Sequence, residues 1–338
     1  MSDLRFDPVT HQWVSIAENR RNRPVEFAPV EQARHQVICP FCAGNEDETP
    51  EALAEFDQDL QSLPKPPDDE RNDWNVRVVP NKYPAFEGQG IDPKTNTGPF
   101  RTANDFGIQE LIIPTPRHVS TIGELEIEEL KRTLHVARLR IEALRDTDGI
   151  EHAMMFVNCR LEAGASIEHT HFQLIGSPIL SRSLESRAEI SAAYYRDNHQ
   201  SLVQRIVEWE SKQNKRVIRN SRNFSIFCPF ASRQPLTVWI APMETPESFV
   251  ESGHLLDELA ELIFESVNKI ESLLERPAYN VLLHQRPFKH DGPDHWYVEI
   301  FPRMTKQAGY EWGTDLWINP VAPETATKRL RTAGSKPT

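Results

Sequence analysis

Four cysteines in 338 residues are too few for a disulfide framework in a chain of this length. No window approaches the ~20 apolar residues that a membrane span requires. The opening residues, MSDLRFDPVTHQWVSI, carry acidic and polar groups in place of an apolar secretory core, so a cytoplasmic location is the expectation. Positive charge is also short. Thirty-eight Lys and Arg against 50 Asp and Glu give a formal charge of −12, which argues against nucleic-acid and anionic-membrane partners. An anionic small-molecule substrate is compatible with that balance only where the site is locally basic. Arg20, Arg21 and Arg23 in ENRRNRP form one such cluster; the competing reading of that run is a solvated loop.

The length suffices for one large domain or two ordinary ones. Residues 58–72 and 87–104 are polar and rich in turn formers and read as surface loops. Between them, WNVRVVPNKYPAF carries a strand ending at Pro80. FGIQELIIP (106–114) and HAMMFVN (152–158) are dense in apolar residues and bounded by turn formers, as strands are. Residues 124–146 predict a helix, with Leu130, Leu134, Ala137, Ile141 and Leu144 at three- and four-residue spacing. Long helical stretches follow over 184–218 and 247–275, the second with Leu255, Leu259, Leu262, Ile270 and Leu273 as its buried stripe. Further strands fall at NFSIFC, LTVWIAP, YNVLLH and WYVEIF. Short strands in groups with helices between them predict an α+β fold built on antiparallel sheets.

A faint repeat runs through the chain. CPF occurs at 39–41 and at 228–230, ELIIPTPRH (110–118) resembles LTVWIAPME (236–244), and EHTHFQLIG (168–176) resembles DHWYVEIFP (294–302). In this overlay His169 falls on His295, His171 on Tyr297 and Gln173 on Glu299. Ala231 then stands in place of Cys42, and Glu244 in place of His118.

The chemistry concentrates in GASIEHTHFQLIG (164–176). Alternate residues of a strand share a face, so His169 and His171 project together with Gln173 beside them. Cys39 and Cys42 form a CxxC that reads either as a redox pair or as half of a zinc site, and the thioredoxin-like βαβ context of the redox reading is missing. With His118 and one histidine of the HTH pair, the two thiols make a Cys2His2 set, which suits a structural zinc. If His169 faces the metal, His171 is left free. A neutral imidazole is a competent nucleophile toward phosphorus, and Gln173, Ser166 and the Gly164 backbone supply hydrogen-bonding groups for a phosphoryl oxygen.

NCRLEAGASIEHTHFQ resembles the active-site signature of the galactose-1-phosphate uridylyltransferase family, within the histidine-triad superfamily. DPVTHQWVSIAENRRNRP, CPFCAGNEDETP, VVPNKYPAF, GIQELIIPTPRH and GYEWGTDLWINPVAPE extend the resemblance, in order, over most of the chain. The resemblance implies two tandem histidine-triad-like halves, each an antiparallel sheet packed with helices: a catalytic half over 1–180 and a degenerate one over 181–338. It also implies nucleotide-sugar and sugar-phosphate substrates and a homodimer. His171 matches the nucleophile, and Cys39, Cys42, His118 and His169 match a structural Zn2+ set. Gln173 and Ser166 match phosphate contacts, and Asn158 matches a residue that orients the site. Arg20 and Arg23 match basic residues near the substrate phosphates. Asn81, Lys82 and Tyr83 match the segment holding base and ribose, and Glu311 matches a reader of sugar hydroxyls.

Two positions depart from the family pattern. Thr170 stands where well-known members have proline, and Tyr297 takes the central histidine position of the second half, which argues against a full second metal site at His284, His295 and Glu299. The expected reaction is a ping-pong transfer, with UDP-glucose as donor and galactose 1-phosphate as acceptor. GYEWGTDLWINPVAPE also resembles the branch containing ADP-glucose phosphorylases, so adenylyl transfer to phosphate is the alternative. A non-catalytic nucleotide-binding relative is a third reading.

Overall fold

The computed structural model describes residues 3–22, 38–65, 73–86, 95–102, 106–246, 248–293 and 295–334. The strands of the N-terminal part are β1 (Asp3–Phe6), β2 (Trp13–Ile16), β3 (Ala54–Phe56), β4 (Val76–Pro80), β5 (Thr95–Thr97), β6 (Phe100–Thr102), β7 (Ile108–Ile113), β8 (His152–Cys159) and β9 (Phe172–Ser177). Then come β10 (Val217–Asn220), β11 (Phe224–Phe227), β12 (Val238–Pro242), β13 (Tyr279–His284), β14 (Tyr297–Pro302) and β15 (Trp317–Asn319). The α-helices are α1 (Ile127–Arg145), α2 (Arg182–Asn198), α3 (Leu202–Gln213), α4 (Leu256–Leu273), α5 (Gly309–Thr314) and α6 (Pro323–Thr332).

Ten of these strands join in one antiparallel sheet, ordered β10–β11–β12–β14–β13–β8–β9–β7–β4–β3. That order is a mirror. Read outward from the centre, the first part runs β8–β9–β7–β4–β3 and the second β13–β14–β12–β11–β10, the same topology used twice. Their join is the β8–β13 ladder, in which Asn158 lies opposite Asn280 and Val157 opposite Val281. The fold is therefore α+β with two tandem histidine-triad-like halves, and their strands form one continuous sheet.

Each half places its long helix between equivalent strands, and α1 and α4 pack together on one face of the sheet. The spacing in α1 explains this: Leu130, Leu134, Ala137, Ile141 and Leu144 are all buried, in one cluster with Ile112, Phe172 and Leu174 of the sheet. In α4, Leu259, Leu262 and Ile270 are buried the same way, and Leu273 is partly buried against the cluster. Burial of such side chains is worth ~1.5–3 kcal/mol each. The opposite face is covered differently in the two halves. In the first, Val79, Leu111 and Ile113 pack against Phe41 and Trp74. In the second, Phe227, Trp239 and Tyr297 pack against Leu202, Val203 and Val207 of α3.

Three expectations need correction. The helical stretch over 184–218 is two helices and the start of β10: His199 turns left-handed at φ 54° to end α2, and the Ser201 hydroxyl caps α3. The segment 87–104, expected as a loop, contains the β5–β6 hairpin. The repeat overlay is also out of register in part. Leu111 pairs with Gln173, and Trp239 pairs with Glu299, so β7 and β12 align two residues away from the sequence overlay, and Glu244 does not take the place of His118. CPF at 39–41 precedes β3, whereas CPF at 228–230 follows β11; the two are not equivalent, and Ala231 is not the counterpart of Cys42. The match of His169, His171 and Gln173 to His295, Tyr297 and Glu299 agrees with the ladder registers.

Candidate functional site

His169 and His171 stand just before β9, on the face turned away from α1. Both are buried, and both lie edge-on to the Phe41 ring, with centroids 6.0 and 5.1 Å away. The ring therefore closes over the pair from the loop that also carries Cys39 and Cys42.

Backbone carbonyls fix the tautomers, because a carbonyl can only accept. His169 donates Nε2–H to the Thr115 carbonyl at 3.2 Å, which leaves the Nδ1 lone pair facing Cys39 Sγ at 3.6 Å and Cys42 Sγ at 3.7 Å. His118 brings its Nδ1 to 3.3 Å from Cys42 Sγ. The four ligand atoms lie within 4.8 Å of one another. Tetrahedral zinc, with bonds of ~2.0–2.3 Å, separates its ligands by ~3.3–3.8 Å, so the donor set and its spacing fit. The carbonyl behind His169 is the outer partner that such ligands ordinarily have. Burial holds His169 neutral, with its pKa down at about 4. Burial and the neighbouring Cys39 push the Cys42 thiol up to about 11, a cost that a bound cation would offset.

His171 is tied the other way round. Its Nδ1–H donates to the His169 carbonyl at 2.8 Å, so Nε2 carries the free lone pair. Burial lowers its pKa as well, keeping the ring neutral. One imidazole thus turns Nδ1 to the Cys39, Cys42 and His118 cluster, and its neighbour keeps an unprotonated Nε2.

The surrounding groups come from three strands. Gln173, half-buried, accepts from Gln109 Nε2 at 3.4 Å. Gln109 in turn accepts from the Asn81 amide through its carbonyl and from the Ala85 amide through its side chain, which links the Asn81–Tyr83 segment to the histidine strand. Asn81 turns the chain by accepting from the Tyr83 amide, Lys82 donates to the Glu48 carbonyl, and the Tyr83 ring is exposed. Asn158 donates weakly to the Gly164 carbonyl at 3.4 Å, and Gly164 sits at φ 97°, a backbone region that favours glycine. Ser166 is exposed in the same loop.

Other expected site residues lie apart from this cluster. Arg20 is exposed in the short turn Glu18–Asn22, whose approach is tied to β15 by Ala17 N–H to the Asn319 carbonyl. Glu311 accepts from the Ala308 amide at the start of α5. Among the described residues no contact joins either to His171, and Arg23 lies outside the described residues. Two contributors escaped the sequence reading: Phe41, and Asn280 on β13. Phe41 lies inside the CPFC motif and so was within reach. Nothing in YNVLLH marks Asn280.

The second half holds an altered image of the site. His295 donates Nε2–H to the Pro242 carbonyl, as His169 does to Thr115, but its Nδ1 accepts from the Ser201 hydroxyl at 3.0 Å. Arg187 donates to His284 Nδ1, so His284 must donate Nε2–H to Glu299. Burial pushes the Glu299 carboxyl upward, yet His284, Arg233 and Trp239 outweigh it and hold the group at about 2. Cys39, Cys42, His118 and His169 are the sole metal-type cluster among the described residues.

A model of the galactose-1-phosphate uridyl transferase N-terminal domain matches residues 1–180. The chain belongs to the galactose-1-phosphate uridylyltransferase family. A second model, described only as a domain of unknown function, matches residues 116–335. The chain is 31% identical to ADP-glucose phosphorylase of Arabidopsis thaliana, over 97% of this chain and 92% of that protein. It is 25% identical to galactose-1-phosphate uridylyltransferase of Thermotoga maritima, over 98% of each. The crystal structure of the Arabidopsis thaliana ADP-glucose phosphorylase with bound ADP-glucose superposes with a TM-score of 0.81 at 26% identity, covering 99% of this chain and all of that one. As a member of this family the chain is an enzyme.

Proposed function

We propose that the chain is a nucleotidyltransferase that works by two displacements through His171. The observation that carries this reading is the buried, neutral imidazole whose Nδ1–H is held by the His169 carbonyl, leaving Nε2 unprotonated. In the first displacement Nε2 attacks the α-phosphorus of a nucleoside-diphosphate glucose. The Nε2–P bond forms, the bridging P–O bond breaks, and the electron pair leaves on the oxygen of glucose 1-phosphate. The imidazole becomes positive, and the His169 carbonyl already faces Nδ1–H to stabilise that charge. In the second, a phosphate oxygen of the acceptor attacks the same phosphorus and returns the pair to Nε2. Gln173 and Ser166 contact the phosphoryl oxygens, Asn158 orients their loop, and Asn81, Lys82 and Tyr83 receive base and ribose. Arg20, Arg23 and Glu311 complete substrate binding in this reading.

The family match over residues 1–180 supports UDP-glucose as donor and galactose 1-phosphate as acceptor. The 31% identity to ADP-glucose phosphorylase favours a second reading, adenylyl transfer from ADP-glucose to phosphate. One zinc held by Cys39, Cys42, His118 and His169 would anchor the strand, with no open position for chemistry. A cytoplasmic homodimer completes the proposal.

The experiment incubates the protein with UDP-glucose or ADP-glucose labelled at the α-phosphate. Label bound to protein, and lost in His171→Ala, is the expected result. No label from either donor, or undiminished label in the variant, sinks the mechanism. The donor that labels faster decides between the readings.

A further inference from the structure

A cavity of about 610 Å³ lies on the second half, on the same face of the sheet that carries His171 in the first. Tyr297 and Glu299, the counterparts of His171 and Gln173, are part of its wall. The nucleophile is gone, but the space is retained. We propose that this cavity is a second, non-catalytic binding site for a nucleotide-class ligand, a planar heteroaromatic ring carrying a phosphate.

The walls argue for the ring. Trp239 and Tyr297 pack with centroids 4.2 Å apart, and Trp209 and Phe230 expose their rings at the same cavity. Flat aromatic surfaces of this kind favour stacking of a planar group. The volume falls within the ~300–1,000 Å³ of small-molecule sites.

The charges argue for the phosphate. Each carboxylate of the wall is engaged inside the protein. Asp7 accepts from the Val9 amide and the Thr10 hydroxyl. Glu210 is paired with Arg216, and Glu299 accepts from His284 and Trp239. The exposed cations have weaker ties. Arg205 lies 3.9 Å from Glu208 and over the Trp209 ring. Lys215 has no anionic partner among the described residues. An anion is what Lys215 lacks and what Arg205 meets only at 3.9 Å, and Glu299 keeps lone pairs for a ring N–H or amino group. The walls and charges of this cavity share no residue with the His171 cluster, so its occupancy is independent of the chemistry assigned to His171.

Equilibrium dialysis of AMP and of UMP against the full chain tests it, with Trp209→Ala and Lys215→Glu as variants. Both side chains are exposed, so neither change threatens folding. The expected result is that each variant loses one bound nucleotide per chain, whatever number it retains, while α-phosphate labelling at His171 is unchanged. Adenosine and ribose 5-phosphate, each half of the ligand, should occupy this site at least tenfold more weakly than AMP. Nucleotide binding indifferent to both substitutions overturns the proposal. So does sedimentation showing that Trp209→Ala alters the oligomeric state with no change in bound nucleotide, which would mark the face as a contact between copies.

Discussion

Asn280 of the second half donates from Nδ2 to Asn158 Oδ1 at 2.8 Å and to the Ala163 carbonyl at 2.9 Å. It therefore pins the first part of the loop that leads into the histidine pair, from the strand across the join. Asn280→Ala leaves those acceptors without their donor, and lost buried hydrogen bonds cost ~1–3 kcal/mol. We expect kcat to fall about tenfold or more with KM changed little, which steady-state kinetics on folded protein will show. Asn280→Asp, which also lacks the donor, should behave alike; full activity in both removes the positioning role.

Gln173 lies two residues beyond His171 on the same face and meets Gln109. A carboxylate there would face the incoming phosphate with like charge. Gln173→Glu should slow single-turnover release of hexose 1-phosphate by about a hundredfold, in the range seen when a transition-state donor is removed. A rate equal to wild type would show that the amide does not touch phosphate.

The Cys2His2 cluster predicts one zinc per chain by elemental analysis. Cys42→Ser should lower that content and the melting temperature together, because a metal that binds only the folded state stabilises it. Chelation should do the same to wild type. A metal-free preparation with unchanged melting and activity would dismiss the site.

His152 is buried on β8, and its Nε2 has no hydrogen-bond partner. Burial first, then the charge of Arg187, lowers its pKa to about 4. In the unfolded chain the value is ~6.5. The unfolded state therefore takes up a proton first, and the stability present above pH ~6.5 is lost as pH falls toward 4. His152→Leu should remove about 1.4 kcal/mol per pH unit from the slope of stability across that window. Urea unfolding at several pH values measures it, and an unchanged slope refutes the assignment.

Much of this was legible because side-chain periodicity reports burial directly. The stripe of α1 and the alternation that pairs His169 with His171 needed only the periods of helix and strand. The Cys2His2 set was legible because few residue types bind zinc. The break at His199–Ser201 was missed because α2 and α3 together look like one long amphipathic run, and a left-handed histidine leaves no composition signal. The two-residue error in aligning β7 with β12 arose because strand sequences alternate: a shift of two keeps every side chain on its proper face. Asn280 was invisible for a different reason. Its partners lie 122 and 117 residues away in sequence, and only the sheet brings them together.

The β8–β13 ladder also sets what can be separated. Cutting the chain near residue 180 would keep every residue of the histidine and cysteine cluster but strip β8 of its neighbour. The freed edge would present a row of bare amides and carbonyls, along with the apolar flank of α1 that α4 now covers. Such an edge recruits other strands, so the excised fragment should aggregate rather than work alone. The two halves would then have to be inherited, expressed and folded as one object, with the half that carries Tyr297 in place of His171 serving as the other's missing neighbour.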